Sequence, residues 1–166
     1  MFKFDKLVFG DLGWGDELLL ATIMTITVSI LSMGLGLCLA IITVWAKLIT
    51  NQITRLIANF YTTVVRGVPE LLIIYLIFFG GNAVLMSVAK IFGYNGYIEL
   101  NALTIGTIAI AFISATYSSE VIRAAYLAVN KGQIEAAKSL GLSKLQVFSK
   151  VMGPQIIRHA LPGIGN

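Results

Sequence analysis

Apolar residues fill three long stretches of this chain, and charged side chains appear almost only between them. Residues 18–46, 71–89 and 100–119 contain no Asp, Glu, Lys or Arg. A helix of about 20 apolar residues crosses the hydrocarbon layer of a bilayer, so the pattern predicts three membrane spans, at about 18–46, 53–80 and 101–124. The first exceeds what a bilayer requires and should tilt or project. Within it Ser32, Gly36 and Ala40 recur every fourth residue, a row of small side chains on one face that lets a neighbouring backbone approach closely. The second span is interrupted by Arg66-Gly67-Val68-Pro69-Glu70. Proline removes a backbone donor and clashes with the preceding turn, so the helix should bend there. Arg66 and Glu70 would share a helix face. An unpaired charge at membrane depth costs roughly 2.5–3.5 kcal/mol on insertion scales, so the two should neutralise one another or stand beside a transport path. Residues 82–92 read as a short external helix and 93–97 as the turn after it. The third span runs into Tyr117-Ser118-Ser119-Glu120, where Glu120 and Arg123 can pair along the helix, as structure or as a gate or substrate contact.

Beyond Gln133 the period becomes that of short surface helices. Ile134, Ala137, Gly141, Leu145, Phe148 and Met152 recur at intervals of three and four and should make one apolar or small face. Gly141 suits a helix stop, and Ser143 with Gln146 suits a capping box opening the next helix. The expected unit is helix, tight turn, helix. Taken alone, such a pair could simply lie on a membrane surface.

Composition agrees with a bilayer as solvent: 57% of residues are hydrophobic and 12% charged. The distribution of charge then gives an orientation. Residues 1–17 set Lys3 and Lys6 against Asp5, Asp11, Asp16 and Glu17; Lys47 and Arg55 follow the first span without an acid. Residues 81–101 carry only Lys90 and Glu99, whereas 123–158 carry Arg123, Lys131, Lys138, Lys144, Lys150 and Arg158 against Glu135. Basic-poor and basic-rich loops therefore alternate, which by the positive-inside rule puts the N-terminus outside and the segment after residue 123 in the cytoplasm. The same accounting explains the formal net charge of +4 without nucleic acid as a partner. The acidic N-terminus and long first apolar run argue against a cleaved signal peptide. Cys38 is the single cysteine and His159 the single histidine, which leaves no disulfide framework and no metal-ligand set. There is also no phosphate-binding Gly-rich loop and no nucleophile, base and acid constellation, so no catalytic residue is assigned.

Several motifs, in order along the chain, resemble the permeases of type I ABC importers. Arg66-Gly67-Val68-Pro69-Glu70 resembles the Arg-Gly-x-Pro segment of that family, and Tyr117-Ser118-Ser119-Glu120-Val121-Ile122-Arg123 its third-span signature. Lys131-Gly132-Gln133, then Glu135-Ala136-Ala137 and Gly141, resemble the cytoplasmic EAA loop; Leu161-Pro162-Gly163-Ile164-Gly165-Asn166 follows. The string most resembles the Q-type permeases of histidine, lysine/arginine/ornithine and opine importers. Two departures stand out. Val151-Met152-Gly153-Pro154 has glycine where leucine is usual, although Pro154 should still break the helix; and the sequence stops where relatives continue through a fourth and fifth span.

The resemblance implies an all-α polytopic bundle of the type I importer permease kind, with three full spans, cytoplasmic coupling helices and the start of a fourth span. On this reading 1–17 is a periplasmic segment, 18–130 the transmembrane bundle, 131–153 the EAA coupling loop and 154–166 the start of a truncated fourth span. Gly132, Gln133, Glu135, Ala136, Ala137, Leu140 and Gly141 would dock on an ATPase; Arg66, Pro69, Glu70, Tyr117 and Glu120 would line or gate the translocation path. The implied activity is ATP-driven, binding-protein-dependent import of polar or basic amino acids or opines in a bacterial inner membrane. This chain would hold no cofactor, ATP and Mg belonging to the partner ATPase. The implied partners are two ATPase subunits, a second and different homologous permease, a periplasmic binding protein and the lipid bilayer. A truncated fragment that does not transport, and a proton-coupled transporter with Arg66, Glu70 and Glu120 as relay, are the competing readings.

Overall fold

The computed structural model describes residues 8–10, 13–94, 96 and 101–165. Lys3, Asp5, Lys6 and Asp11 of the acidic N-terminal segment, Tyr97 and Glu99 of the second loop, and Asn166 lie outside the described residues. Among the described residues the regular elements are seven helices, α1 Gly15–Leu48, α2 Gln52–Gly67, α3 Glu70–Ile91, α4 Ala102–Ala128, α5 Lys131–Ser139, α6 Lys144–Val147 and α7 Gly153–Ile164, with a π turn at Phe148–Met152 between the last two.

Three of these, α1, α3 and α4, are long and apolar enough to cross a membrane. At 1.5 Å per residue, α1 with its 34 residues extends about 51 Å and exceeds a hydrocarbon layer of about 30 Å. Its exposed hydroxyls are satisfied internally: Thr22, Thr25, Thr27 and Ser29 each donate to the carbonyl four residues back, at 2.7–2.8 Å. Exposed large apolar residues along α1 and α3, among them Ile26, Ile30, Leu71 and Phe79, suit a lipid solvent.

α1 and α4 form the core of the bundle. The buried positions of α1 are Gly15, Ser32, Gly36, Ala40, Thr43, Val44 and Lys47, so the row of small residues continues to the end of the helix as a single stripe. It lies against α4. A Cβ built on Gly36 would stand 3.2 Å from the Ala111 carbonyl oxygen and 3.3 Å from the Ser114 side chain, and the Ser32 hydroxyl donates to the Thr107 carbonyl at 3.1 Å. With lipid tails as apolar as Leu, close backbone approach and interhelical hydrogen bonds hold such a seam. α7 packs on α4 as well, where a Cβ on Gly163 would come within 2.8 Å of a Val121 methyl.

Three expectations need correction. The span expected at 53–80 is not one bent helix. α2 ends at Gly67, Val68 is extended (φ −110°, ψ 143°) and Pro69 precedes the new helix at Glu70. The residue before proline is driven from the helical region, and proline supplies no N–H to the previous turn, so the chain breaks cleanly. The second membrane-length helix is therefore α3, while α2 is a separate amphipathic helix. It buries Ala58, Thr62 and Val65 and exposes Ile53, Leu56, Ile57 and Phe60. Residues 82–92, expected as an external helix, are instead the end of α3 and its cap Phe92; the helix stops where Gly93 takes φ +82° and the Gly93 and Tyr94 amides return to the Lys90 and Ala89 carbonyls. The helix break expected at Pro154 is also absent. Phe148, Met152 and Gly153 are all right-handed helical, and the Gly153 amide reaches back five residues to the Phe148 carbonyl. The widened turn absorbs the proline, so the chain stays helical from Lys144 to Ile164.

Candidate functional site

Two places collect the residues that the sequence singled out. The first is a polar cavity of about 440 Å³ where the ends of α1 and α2 meet α4, lined by Lys47, Asn59, Thr62, Thr63, Arg66, Gly67, Tyr117 and Glu120. Lys47 enters it because the small-residue stripe of α1 turns its last member toward α4. Its ammonium pairs with the Glu120 carboxylate and donates to the Thr62 hydroxyl at 2.6 Å. Arg123 grips the other Glu120 oxygen, with Nε and Nη2 each at 2.9 Å. One carboxylate on α4 thus answers a cation from α1 and another one turn along its own helix, and Thr62 draws α2 into the same knot. The Glu120–Arg123 pair was expected from spacing; the Lys47 contact was not, because Lys47 reads as a loop residue until the stripe from Ser32 is followed about four turns further.

Arg66 and Glu70 do not pair. The break at Val68-Pro69 puts them on different helices, and each turns instead to Tyr117. The Arg66 guanidinium lies 5.4 Å from the Tyr117 ring centroid, a cation–π distance, and Glu70 is the carboxylate beside the Tyr117 hydroxyl. The fold thus gathers Arg66, Glu70, Tyr117 and Glu120 around one stretch of α4, while Pro69 makes the break that allows it. Above them Val65, Ile73 and Ile113 form a small apolar core flanked by Tyr61 and Phe112, and the Tyr61 hydroxyl donates to the Phe112 carbonyl at 2.6 Å.

The second place is the loop after α4. Asn130 caps α5 by accepting from the Gly132 amide at 2.8 Å. α5 ends at Ser139; Gly141 takes φ +78°, and the Gly141 and Leu142 amides close on the Lys138 and Ala137 carbonyls at 2.9 and 3.2 Å. Only a residue free of Cβ strain adopts this turn cheaply. Ser143 and Gln146 then form the reciprocal capping box of α6. The apolar positions of the unit divide. Ala137 and Val147 are buried, whereas Leu140, Leu145 and Phe148 point outward at 80%, 76% and 52% exposure. The single face expected from spacing is corrected in this respect: the tight turn at Gly141 interrupts the helical repeat, and beyond it Leu145 and Phe148 stand exposed while Ala137 is buried. Glu135 and Ala136 are exposed, and Gln133 is tied to α7 by the Gln155 amide at 2.5 Å.

The chain as a whole is similar to known proteins. Residues 32–166 match the family model described as the binding-protein-dependent transport system inner membrane component. The chain belongs to that family. It is 49% identical over 161 residues to the nopaline transport system permease protein NocQ of Agrobacterium fabrum, covering 96% of this chain and 68% of the relative. It is 40% identical to the octopine transport system permease protein OccQ of Rhizobium radiobacter, covering 95% and 67%. To the histidine/lysine/arginine/ornithine transport system permease protein HisQ of Escherichia coli it is 38% identical, covering 93% and 67%. A crystal structure of an amino acid ABC transporter with histidines superposes with a TM-score of 0.68 at 33% identity, over 87% of this chain and 62% of that one. This inner membrane component therefore has the fold of an ABC transporter permease and spans about two thirds of the length of these relatives. Both the polar cavity and the helix-turn-helix after α4 lie within the matched region.

Proposed function

We propose that this chain is a permease subunit of an ATP-driven, binding-protein-dependent importer of polar or basic amino acids or opines. The observation that carries the reading is the unit Lys131–Val147: a capped helix, a positive-φ glycine and a second capped helix that present Leu140, Leu145 and Phe148 outward beside Glu135 and Ala136. Exposed apolar side chains on a rigid polar loop suit a groove on another protein. On this reading Gly132, Gln133, Glu135, Ala136, Ala137, Leu140 and Gly141 form the knob that an ABC ATPase grips. Ala137 and Val147 anchor the knob to the bundle, and the unbroken helix from Lys144 to Ile164 carries its movement to α4. The ATPase binds ATP and Mg; a periplasmic protein delivers the substrate; a second, homologous permease completes the path beside the cavity of Arg66, Tyr117 and Glu120. The N-terminus lies on the periplasmic side of a bacterial inner membrane.

A proton relay through Arg66, Glu70 and Glu120 has less support, since Glu120 is already committed to Lys47 and Arg123 and no ion pair joins Arg66 to Glu70 among the described residues. Gly141→Asp tests the main reading. It should leave membrane insertion intact, because the turn lies outside the three membrane-length helices and the strain of a side chain at φ +78° stays local to it, with nothing within 4 Å of an added Cβ, yet abolish uptake while ATP hydrolysis by the ATPase continues. Normal uptake by the assembled Gly141→Asp transporter would refute it.

A further inference from the structure

We infer that the outward face of α7, with Lys150 and Arg158 at its base, is a binding site for the phosphate of an anionic phospholipid. The inference needs only a chain embedded in a bilayer and stands apart from the importer reading.

Its first support is the depth at which α7 sits. α1 and α4 run side by side in the same direction, since Ser32 meets Thr107, Gly36 meets Ala111 and Lys47 meets Glu120. α1 stops just past Lys47, and Trp45 beside it is exposed, as suits the boundary between hydrocarbon and headgroups. That boundary therefore crosses α4 near Glu120. α7 runs back along α4: Gln155 is tied to Gln133, beyond the end of α4, while Gly163 stands against Val121, within it. Gly163 thus lies at the boundary. Arg158, five residues earlier, lies about 7.5 Å outside the hydrocarbon, in the layer of headgroup phosphates.

The face turned away from α4 matches that layer. Pro154, Ile157, Arg158 and Leu161 recur at intervals of three and four, so they share one side of the helix. All four are exposed, Ile157 at 62% and Leu161 at 66%, whereas Ala160 on the opposite side is buried. Lys150, exposed in the π turn, precedes Arg158 by eight residues, about 12 Å along the axis. Their long side chains can converge over Pro154 between them. Neither cation has an ion pair, hydrogen bond or ring contact among the described residues. Residues 123–158 carry six basic side chains against Glu135 alone, so the segment supplies little of its own to neutralise them.

An anionic phospholipid answers both halves of this face. Its phosphate takes the guanidinium fork of Arg158 with the Lys150 ammonium as a second cation, and an acyl chain covers Leu161, which stands about one turn nearer the hydrocarbon. A soluble anion would cover only the charges, and an acidic protein surface would leave Ile157 and Leu161 without apolar cover.

The test uses the chain with the partners that leave the membrane with it in mild detergent. Phosphatidylglycerol should raise the unfolding midpoint of this complex, and phosphatidylcholine should not. Arg158→Gln and Lys150→Gln should each raise the half-saturating phosphatidylglycerol about fivefold, and the two together about twenty-five-fold, in line with the pull of single basic residues on an anionic headgroup. Arg158→Lys should keep most of the response. Arg55→Gln, which removes an exposed cation of α2 away from this face, should match the native complex. No response to phosphatidylglycerol, or equal half-saturation in the native and doubly substituted complexes, overturns the inference. So does an equal loss in Arg55→Gln, which would mean diffuse attraction without a site, and so does equal protection by glycerol phosphate, which would make the ligand a soluble anion. In a second arm, a bimane label on Leu161→Cys in a Cys38→Ser background should be quenched in liposomes by brominated phosphatidylglycerol more than by brominated phosphatidylcholine. No quenching by either would mean that another protein covers the face, and equal quenching that the lipid there is unselected; both overturn the site. Where Arg158→Gln lowers the yield of complex, Lys150→Gln and the quenching arm decide.

Discussion

At the scale of single residues, Lys47 decides more than its place in the sequence suggests. A lysine just past an apolar run is ordinarily a solvated topology marker. Here its side chain is only 4% exposed and closes a triad with Glu120 and Arg123. Breaking a buried pair costs more than the pair contributes, because the partner is left behind with its charge. Lys47→Met should therefore destabilise the assembled protein by about 3 kcal/mol, read as a lowered unfolding midpoint in detergent. The exchanged pair Lys47→Glu with Glu120→Lys should recover only part of this, since the new lysine at 120 would face Arg123. Full recovery by the exchange, or no loss in Lys47→Met, would show that the triad is not what joins α1 to α4. Glu120 and Arg123 were legible from their spacing. Lys47 was not, because a lysine's role depends on which helix stands opposite, and that is a property of packing.

At the scale of elements, the α1 and α4 seam is built by subtraction. Ser32, Gly36 and Ala40 remove side-chain volume every fourth residue, and the backbone of α4 fills the space. Since a Cβ at Gly36 would already meet Ala111 and Ser114 at 3.2–3.3 Å, Gly36→Ala should be tolerated with a small loss. Gly36→Leu should cost at least the roughly 1–3 kcal/mol typical of overpacking, measured as the midpoint difference between the two variants. Equal midpoints would mean that the helices separate at this point without penalty. The row of small residues was legible from the sequence, but its partner was not. Periodicity names a face and leaves open what covers it. The break at Val68-Pro69 shows the opposite limit: proline predicted a disturbance correctly, but whether a helix bends, stops or widens depends on its neighbours. At Pro69 it stops, and at Pro154 a π turn lets it continue.

At the scale of the whole molecule, charge and hydropathy gave the order of spans and an orientation. Helices α1, α3 and α4 have the length and composition to cross a membrane, and the basic residues cluster from Arg123 to Arg158. The orientation can be read with single cysteines in a Cys38→Ser background. A cysteine replacing Ser139 in α5 should be labelled by an impermeant maleimide only from the cytoplasmic face, and one replacing Lys90 near the end of α3 only from the periplasmic face. The reverse pattern would invert the molecule and place α5 and α6 away from the cytoplasmic face, where the proposed ATPase contact requires them. Lys47 contributes to the positive-inside count on paper, yet its charge is answered by Glu120, so the orientation rests mainly on the basic residues around α5, α6 and α7.

The sequence by itself determined that this chain is helical and membrane-embedded, where the first and third of its long apolar helices run, and that a Gly-stopped, Ser-capped pair of short helices follows the last of them. These are local matters, set by transfer free energy and by backbone conformations that only glycine, proline and capping side chains favour. Only the tertiary structure decided that the small-residue face of α1 meets α4, that Lys47 rather than solvent answers Glu120, and that Arg66 turns to Tyr117 and leaves Glu70 unpaired with it. Those outcomes join residues up to 78 positions apart, as Gly36 and Ser114 show. They depend on distances of a few ångströms between helices, which no one-dimensional pattern encodes.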